Sequence, residues 1–246
     1  MNSNNTKLKA VHEPKSPVAE AYRILRTNIQ FSGLDRSLRS LLVTSSAPNE
    51  GKSLTVANLA AAFAQSGPRV LIVDADLRKP TQHKLFSISN LQGLTSVLLG
   101  QMELADAVHR VPPHALYVLP TGPIPPNPAE LLGSQRMREF IREATAAYDL
   151  VFFDTPPVVS VTDAALLGAV VDGVLLVVEA GKTKIELAQK ARQLLSNVQA
   201  RLLGVVLNKV GEGSSDYYYY YHYYYGGSGS GRKRRVRRKK TEYPDS

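Results

Sequence analysis

The 246-residue chain is 43% hydrophobic and has no cysteine, which suits one α/β body with additional segments and excludes disulfide frameworks and thiolate metal sites. Its net charge of +9 sits mostly at one end: residues 232–240, RKRRVRRKK, carry eight positive charges, Glu242 and Asp245 follow, and residues 1–231 hold only +3. No apolar run approaches the roughly 20 residues of a spanning helix, and the start MNSNNTKLKA lacks a signal-peptide core, so the expected location is the cytoplasm.

Residues 1–16 are polar and expected to be disordered. A helix is predicted over 17–31, with Ser16 as cap, Pro17 in the first turn and an apolar stripe of Ala21, Ile24, Leu25 and Ile29. Glu20, Arg23 and Arg26 are expected on another face of that helix. A strand follows at Ser40–Thr44, then a Gly-containing loop, then a helix from about Lys52 to Gln65 that Gly67-Pro68 ends. Val70–Val73, Ala115–Leu119, Leu150–Phe153, Gly173–Val178 and Leu203–Leu207 read as buried strands. Runs apolar on both sides of the pleat imply a parallel sheet covered on both faces. Asn127-Pro128-Ala129-Glu130 reads as a helix start with a capping box. Strands alternating with helices imply a three-layer α/β/α fold with a mostly parallel central sheet.

Ser46-Ala47-Pro48-Asn49-Glu50-Gly51-Lys52-Ser53 lies between a predicted strand and helix. Its second half matches the P-loop pattern, whereas Ser46 replaces the first glycine. Such a loop lets backbone N–H groups at a helix N-terminus approach phosphate. Lys52 is expected to reach the β- and γ-phosphates, and the Ser53 hydroxyl to bind Mg²⁺. The nucleotide contacts are expected from Asn49, Glu50, Gly51, Lys52, Ser53 and Leu54. LIVDADLRKP places Asp74 and Asp76 just past one buried strand, and LVFFDTPP places Asp154 at the end of another. Ligands of open α/β sheets bind beyond the carboxyl ends of the strands, so the three acids can converge on the P-loop. Asp154 is the natural metal-holding acid, and either Asp74 or Asp76 can take a proton from an attacking hydroxyl.

After Val210 the composition changes to GEGSSDYYYYYHYYYGGSGSG, a flexible tail (211–231) carrying Tyr217, Tyr218, Tyr219, Tyr220, Tyr221, Tyr223, Tyr224 and Tyr225. The basic segment 232–246 closes the chain.

SAPNEGKS, LIVDADLRKP and LVFFDTPP together resemble the Walker A, Walker A′ and Walker B segments of the bacterial tyrosine kinases of capsule and exopolysaccharide synthesis, a likeness that covers about residues 16–225. The resemblance implies a P-loop NTPase fold over 17–210, ATP (with ADP as product) and Mg²⁺ as cofactors, and protein-tyrosine kinase activity. It gives Lys52 and Ser53 the phosphates and Mg²⁺, Asp74 and Asp154 the metal, and Asp76 the role of base toward the tyrosine hydroxyl. Glu20, Arg23 and Arg26 resemble the family's ExxRxxR subunit-contact motif, which implies a ring-like homo-oligomer whose tyrosine tails are phosphorylated in trans. The family also implies a transmembrane activator, here expected as a separate protein that recruits the kinase to the inner face of the cell membrane, and polysaccharide-synthesis enzymes as substrates. Asn208, just after a strand, resembles the adenine-contacting position of related folds; a strand-end turn reads equally well.

The alternative within the fold group is a partitioning or division-site ATPase, but those carry a lysine early in the loop where Ala47 stands. A nucleotide-gated scaffold binding nucleic acid through 232–246 is a second alternative; nucleic acid is not the expected partner. The basic run is left open among membrane surface, nucleic acid, the phosphorylated cluster and solvent.

Overall fold

A computed structural model describes residues 8, 13–32 and 38–211. The eight cluster tyrosines and the basic run lie outside the described residues, as does most of the segment 1–16.

The N-terminal helix α1 spans Pro17–Ser32, capped as expected by Ser16, whose Oγ accepts from Ala19 N at 3.1 Å. It packs on α2 (Lys52–Ala64), and that packing decides which residues α1 buries. Ten consecutive residues of α2, Thr55–Ala64, are buried, because the sheet covers one side and α1 the other. The inward face of α1 is Ala19, Tyr22, Leu25 and Ile29, while Ala21 is exposed. The expected stripe was therefore rotated. Arg26 belongs to the inward side too: its Nη1 donates to Ala62 O of α2 at 2.7 Å. Glu20 and Arg23 pair with each other within the helix, and Arg23 also donates to Pro14 O at 2.8 Å.

The sheet has seven strands: β1 (Ser40–Ser45), β2 (Val70–Asp74), β3 (His109–Val111), β4 (Leu116–Leu119), β5 (Leu150–Asp154), β6 (Gly173–Glu179) and β7 (Leu202–Asn208). Their order is β3-β4-β2-β5-β1-β6-β7. All neighbours are parallel except β3, a three-residue antiparallel edge that carries no apolar run and that sequence reading passed over. β1, β2 and β5 are buried throughout, which fits apolar strands covered on both faces. β7 departs from this expectation. As the other edge it leaves Val205 and Leu207 each 57% exposed.

Apolar residues fill both faces of the sheet. On one, Leu41, Val43, Ile72 and Phe152 meet α1 and α2. On the other, Leu42, Val73 and Phe153 meet α4 (Leu94–Leu98), α7 (Gln135–Ala147), α8 (Asp163–Gly168) and α9 (Ile185–Asn197). This is the three-layer α/β/α arrangement that the strand–helix alternation implied. Short helices α3 (Gln82–Phe86), α5 (Leu104–Ala107) and α6 (Pro128–Leu132) complete the connections. Pro128 takes the first turn of α6 as expected, but the capping box does not form: Asn127 Nδ2 donates instead to Glu130 Oε2 at 3.0 Å. Among the described residues no helix is long and apolar enough to cross a membrane.

Candidate active site

β1 lies between β5 and β6, and the carboxyl ends of β1, β2 and β5 open on one rim. The P-loop, 46–53, links β1 to α2 there. Gly51 sits at φ 94°, the left-handed region, immediately before the first helical residue. A Cβ at Gly51 would also lie 2.2 Å from Asn208 Nδ2 and displace that amide from the loop, so the conformation calls for glycine and the Asn208 contact favours it. Asn49, at φ 64°, takes the same region one residue before Glu50.

Lys52 is the meeting point of the site. Its Nζ lies 2.9 Å from Asp76 Oδ2, 3.3 Å from Asp154 Oδ1 and 3.1 Å from Ser53 Oγ. Burial works against the ammonium, but Asp154 and Asp76 outweigh it and hold its pKa above the usual lysine range. The structure thus gathers Lys52, Ser53, Asp76 and Asp154, which the sequence placed 102 residues apart at the extremes.

Asp74 and Asp154 stand opposite each other in the β2–β5 register, and both are fully buried. Asp74 Oδ2 accepts from the backbone N–H groups of Thr81 and Gln82, each at 2.9 Å, while Oδ1 is buried with no hydrogen-bond partner. Burial, then the neighbouring Asp154 charge, pushes the Asp74 pKa up to about 8. A buried carboxylate oxygen without a donor, beside a second carboxylate and a serine hydroxyl, is a set of hard oxygen groups of the kind Mg²⁺ takes. Ser53, Asp74 and Asp154 therefore fit that cation. Asp76 is different: it lines the cavity, and its Oδ1 accepts from Lys79 N at 3.0 Å.

One polar side chain here carried no sequence signal. Gln82, fully buried at the start of α3, donates from Nε2 to Asp154 Oδ2 at 2.8 Å and to Ser53 O at 3.1 Å. It ties the acid of β5 to the P-loop. Arg78, at the cavity edge, forms a bidentate pair with the buried Asp163 of α8 at 2.9 and 3.0 Å, which anchors the segment after β2.

The rim encloses a cavity of about 720 Å³, lined by the loop from Pro48 to Leu54 (Glu50 excepted), by Asp76, Arg78 and Lys79, and by Pro156 and Pro157. That volume is in the range of small-molecule sites. Among the expected nucleotide contacts, Asn49, Gly51, Lys52, Ser53 and Leu54 line it, whereas the Glu50 side chain turns inward and is 3% exposed. Asn208 is not on the lining; its Nδ2 donates to Glu50 O at 2.9 Å, and Lys209 Nζ donates to Asn49 O at 2.6 Å. Both residues brace the loop from behind. Glu20, Arg23 and Arg26 do not line this cavity.

Comparison with known proteins finds relatives over most of the chain. A family model described as an AAA domain matches residues 49–203. The tyrosine-protein kinase YwqD of Bacillus subtilis is 53% identical over 199 residues, covering 81% of this chain and 84% of that protein. The kinase domain of the Escherichia coli tyrosine kinase ETK superposes with a TM-score of 0.82 at 36% identity, over 87% of this chain and 84% of that one. The chimerical protein CapA2B2 superposes with a TM-score of 0.80 at 41% identity, over 83% and 90% respectively. The septum site-determining protein MinD of Pyrococcus horikoshii, at 24% identity and a TM-score of 0.61, shares the fold.

Proposed function

We infer the reaction from one premise: this chain belongs to the bacterial tyrosine-protein kinases, and it is a protein-tyrosine kinase. The acceptor proposed is the chain's own tyrosine cluster, Tyr217–Tyr221 and Tyr223–Tyr225, reached in trans within an oligomer. The observation that carries the chemistry is Lys52 held between Asp76 and Asp154 at the cavity rim.

ATP would bind with its phosphates along Asn49–Ser53, which line the cavity apart from Glu50. Ser53, Asp74 and Asp154 would hold Mg²⁺, which would supply charge neutralisation for the polyphosphate. The tyrosine oxygen forms a bond to the γ-phosphorus, the bond from that phosphorus to the β–γ bridging oxygen breaks, and ADP leaves. The tyrosine proton passes to Asp76. A phosphate oxygen that draws the Lys52 ammonium away from Asp76 Oδ2 leaves that oxygen free to take the proton, so phosphate binding and base activation are linked. Positioning and electrostatics carry most of the catalysis in such transfers.

Glu20, Arg23 and Arg26, half-buried on the outer helix α1, are the proposed subunit contacts; Arg26 also ties α1 to α2 through Ala62 O. A role in capsule or exopolysaccharide synthesis, and recruitment to the membrane by a transmembrane activator, belong to the same proposal.

The test is mass spectrometry of the full chain incubated with ATP and Mg²⁺. Phosphate on Tyr217–Tyr225 is expected, and replacing all eight tyrosines by Phe should remove most self-labelling while ATP binding persists. Labelling of that variant as strong as the parent's would move the acceptor elsewhere. ADP release without phosphotyrosine would favour an ATPase.

A further inference from the structure

Glu50 stands inside the phosphate-binding loop, yet its carboxylate is buried behind it. Oε2 accepts from the backbone N–H groups of Ser46 at 2.8 Å and Ala47 at 2.9 Å. Ser46 Oγ lies 2.8 Å from Oε1 and 2.9 Å from Oε2, and Thr183 Oγ1 donates to Oε1. Every contact is a donor, which suits a carboxylate, and the hydrogen bonds offset the cost of burying it.

This arrangement explains the departure from the P-loop pattern. Ser46 occupies the place of the first glycine, and its hydroxyl is one of the groups that satisfies Glu50. The carboxylate thus closes the first part of the loop back on the fifth residue, 46 onto 50. Thr183, in the turn after β6, fixes the closure from outside: its Oγ1 also accepts from Glu179 N at 2.8 Å. Asn208 holds the Glu50 carbonyl from the end of β7.

We infer that Glu50 is a positioning residue for polyphosphate binding: a buried hydrogen-bond acceptor, anchored by Thr183, that sets the shape of the loop and touches neither nucleotide nor cation. The inference rests on reading 46–53 as the nucleotide site. It also separates two roles that one residue at this position can have. A contact through charge requires the carboxylate's negative charge. A brace requires an acceptor oxygen at the right reach.

Two substitutions divide these cases. Glu50→Gln removes the charge but keeps the length and an oxygen that can take both backbone N–H groups, while its amide N–H₂ meets the Ser46 and Thr183 hydroxyls, which can rotate to accept. Glu50→Asp keeps the charge but draws it back by about 1.5 Å, one carbon–carbon bond. ATP affinity and steady-state kinetics are measured on the full chain, with Glu50→Ala as reference. The brace predicts that Asp and Ala raise the Kd and KM for ATP about tenfold or more, while kcat changes less than about threefold, because loop shape acts alike on ground and transition states. Gln should stay within about threefold of the parent. Thr183→Val, approaching the clamp from the other side, should raise Kd about three- to fivefold, and Thr183→Ser should restore it. This second pair decides the matter if a Glu50 variant does not melt cooperatively. Gln as damaging as Ala, or Ala and Asp binding ATP like the parent, would overturn the brace. A parent chain that binds no ATP would overturn the nucleotide-site reading itself, and this inference with it.

Discussion

The two walls of the nucleotide cavity are built on different physics. The P-loop wall is shaped by glycine geometry, by a satisfied Glu50 carboxylate and by backbone carbonyls held from Asn208 and Lys209. The acid wall is a cluster of Asp74, Asp76 and Asp154 balanced on the Lys52 ammonium. One wall has its buried carboxylate satisfied by hydrogen bonds alone. The other stays short of positive charge, as Asp74 Oδ1 without a donor shows. The contrast teaches that shape and charge are separable here, and that added cations should act first on the acid wall.

Removing the shared ammonium is the strongest way to break the comparison. Lys52→Met should lower phosphotyrosine formation by at least about a hundredfold, the scale for losing one preorganised charge donor. It should do more than stop catalysis, because three buried carboxylates would lose their counter-charge. Breaking a buried pair from one side costs about 3–5 kcal/mol. The variant should therefore melt well below the parent at pH 9 and recover part of that loss at pH 6, where Asp74, pushed up to about 8 by burial and the Asp154 charge, holds its proton. Equal thermal stability at both pH values would show that Lys52 does not balance the acid wall.

A smaller effect is expected at the seam between the walls. Gln82 is the only described side chain that donates to both Asp154 and the P-loop carbonyl of Ser53. Gln82→Leu keeps the volume and deletes the donor. Groups that orient metal ligands are worth about 10–100-fold, so the Mg²⁺ concentration for half-maximal activity should rise by that order while ATP-site shape is kept. A variant with an unchanged Mg²⁺ requirement would make Gln82 a packing residue.

The contrast also explains what the sequence made legible. Lys52, Ser53, Asp74, Asp76 and Asp154 could be read because each follows a short apolar run at a strand's carboxyl end or opens a helix, where chain direction alone aims it at the rim. Gln82 and Thr183 could not. Each is a single polar residue, and its partner lies far along the chain: Thr183 and Glu50 are separated by 133 positions. Periodicity misplaced the inner face of α1 for a related reason. That helix packs on Ala-rich α2, where Tyr22 and Arg26 can reach inward, so Ala21 and Ile24 were not the deepest positions. β3 was hidden by its length of three residues and its half-exposed edge.

The gentlest test leaves every contact in place and changes only protons. Folding raises the Asp74 pKa from 3.8 to about 8, so the folded state holds that proton more tightly than the unfolded chain does. The resulting stabilisation is fully present below pH 3.8 and is lost as pH climbs through about 8. In protein freed of divalent cations, the melting temperature should fall between pH 6 and 9, by about 2–4 °C for each kcal/mol in a domain of this size. Asp74→Asn, which cannot lose a proton, should flatten that fall. Added Mg²⁺ should oppose it in the parent, since cation binding to a deprotonated carboxylate strengthens as pH rises. A parent whose stability rises from pH 6 to 9, or an Asn variant that falls as steeply, would mean that the acid wall is already balanced without a cation.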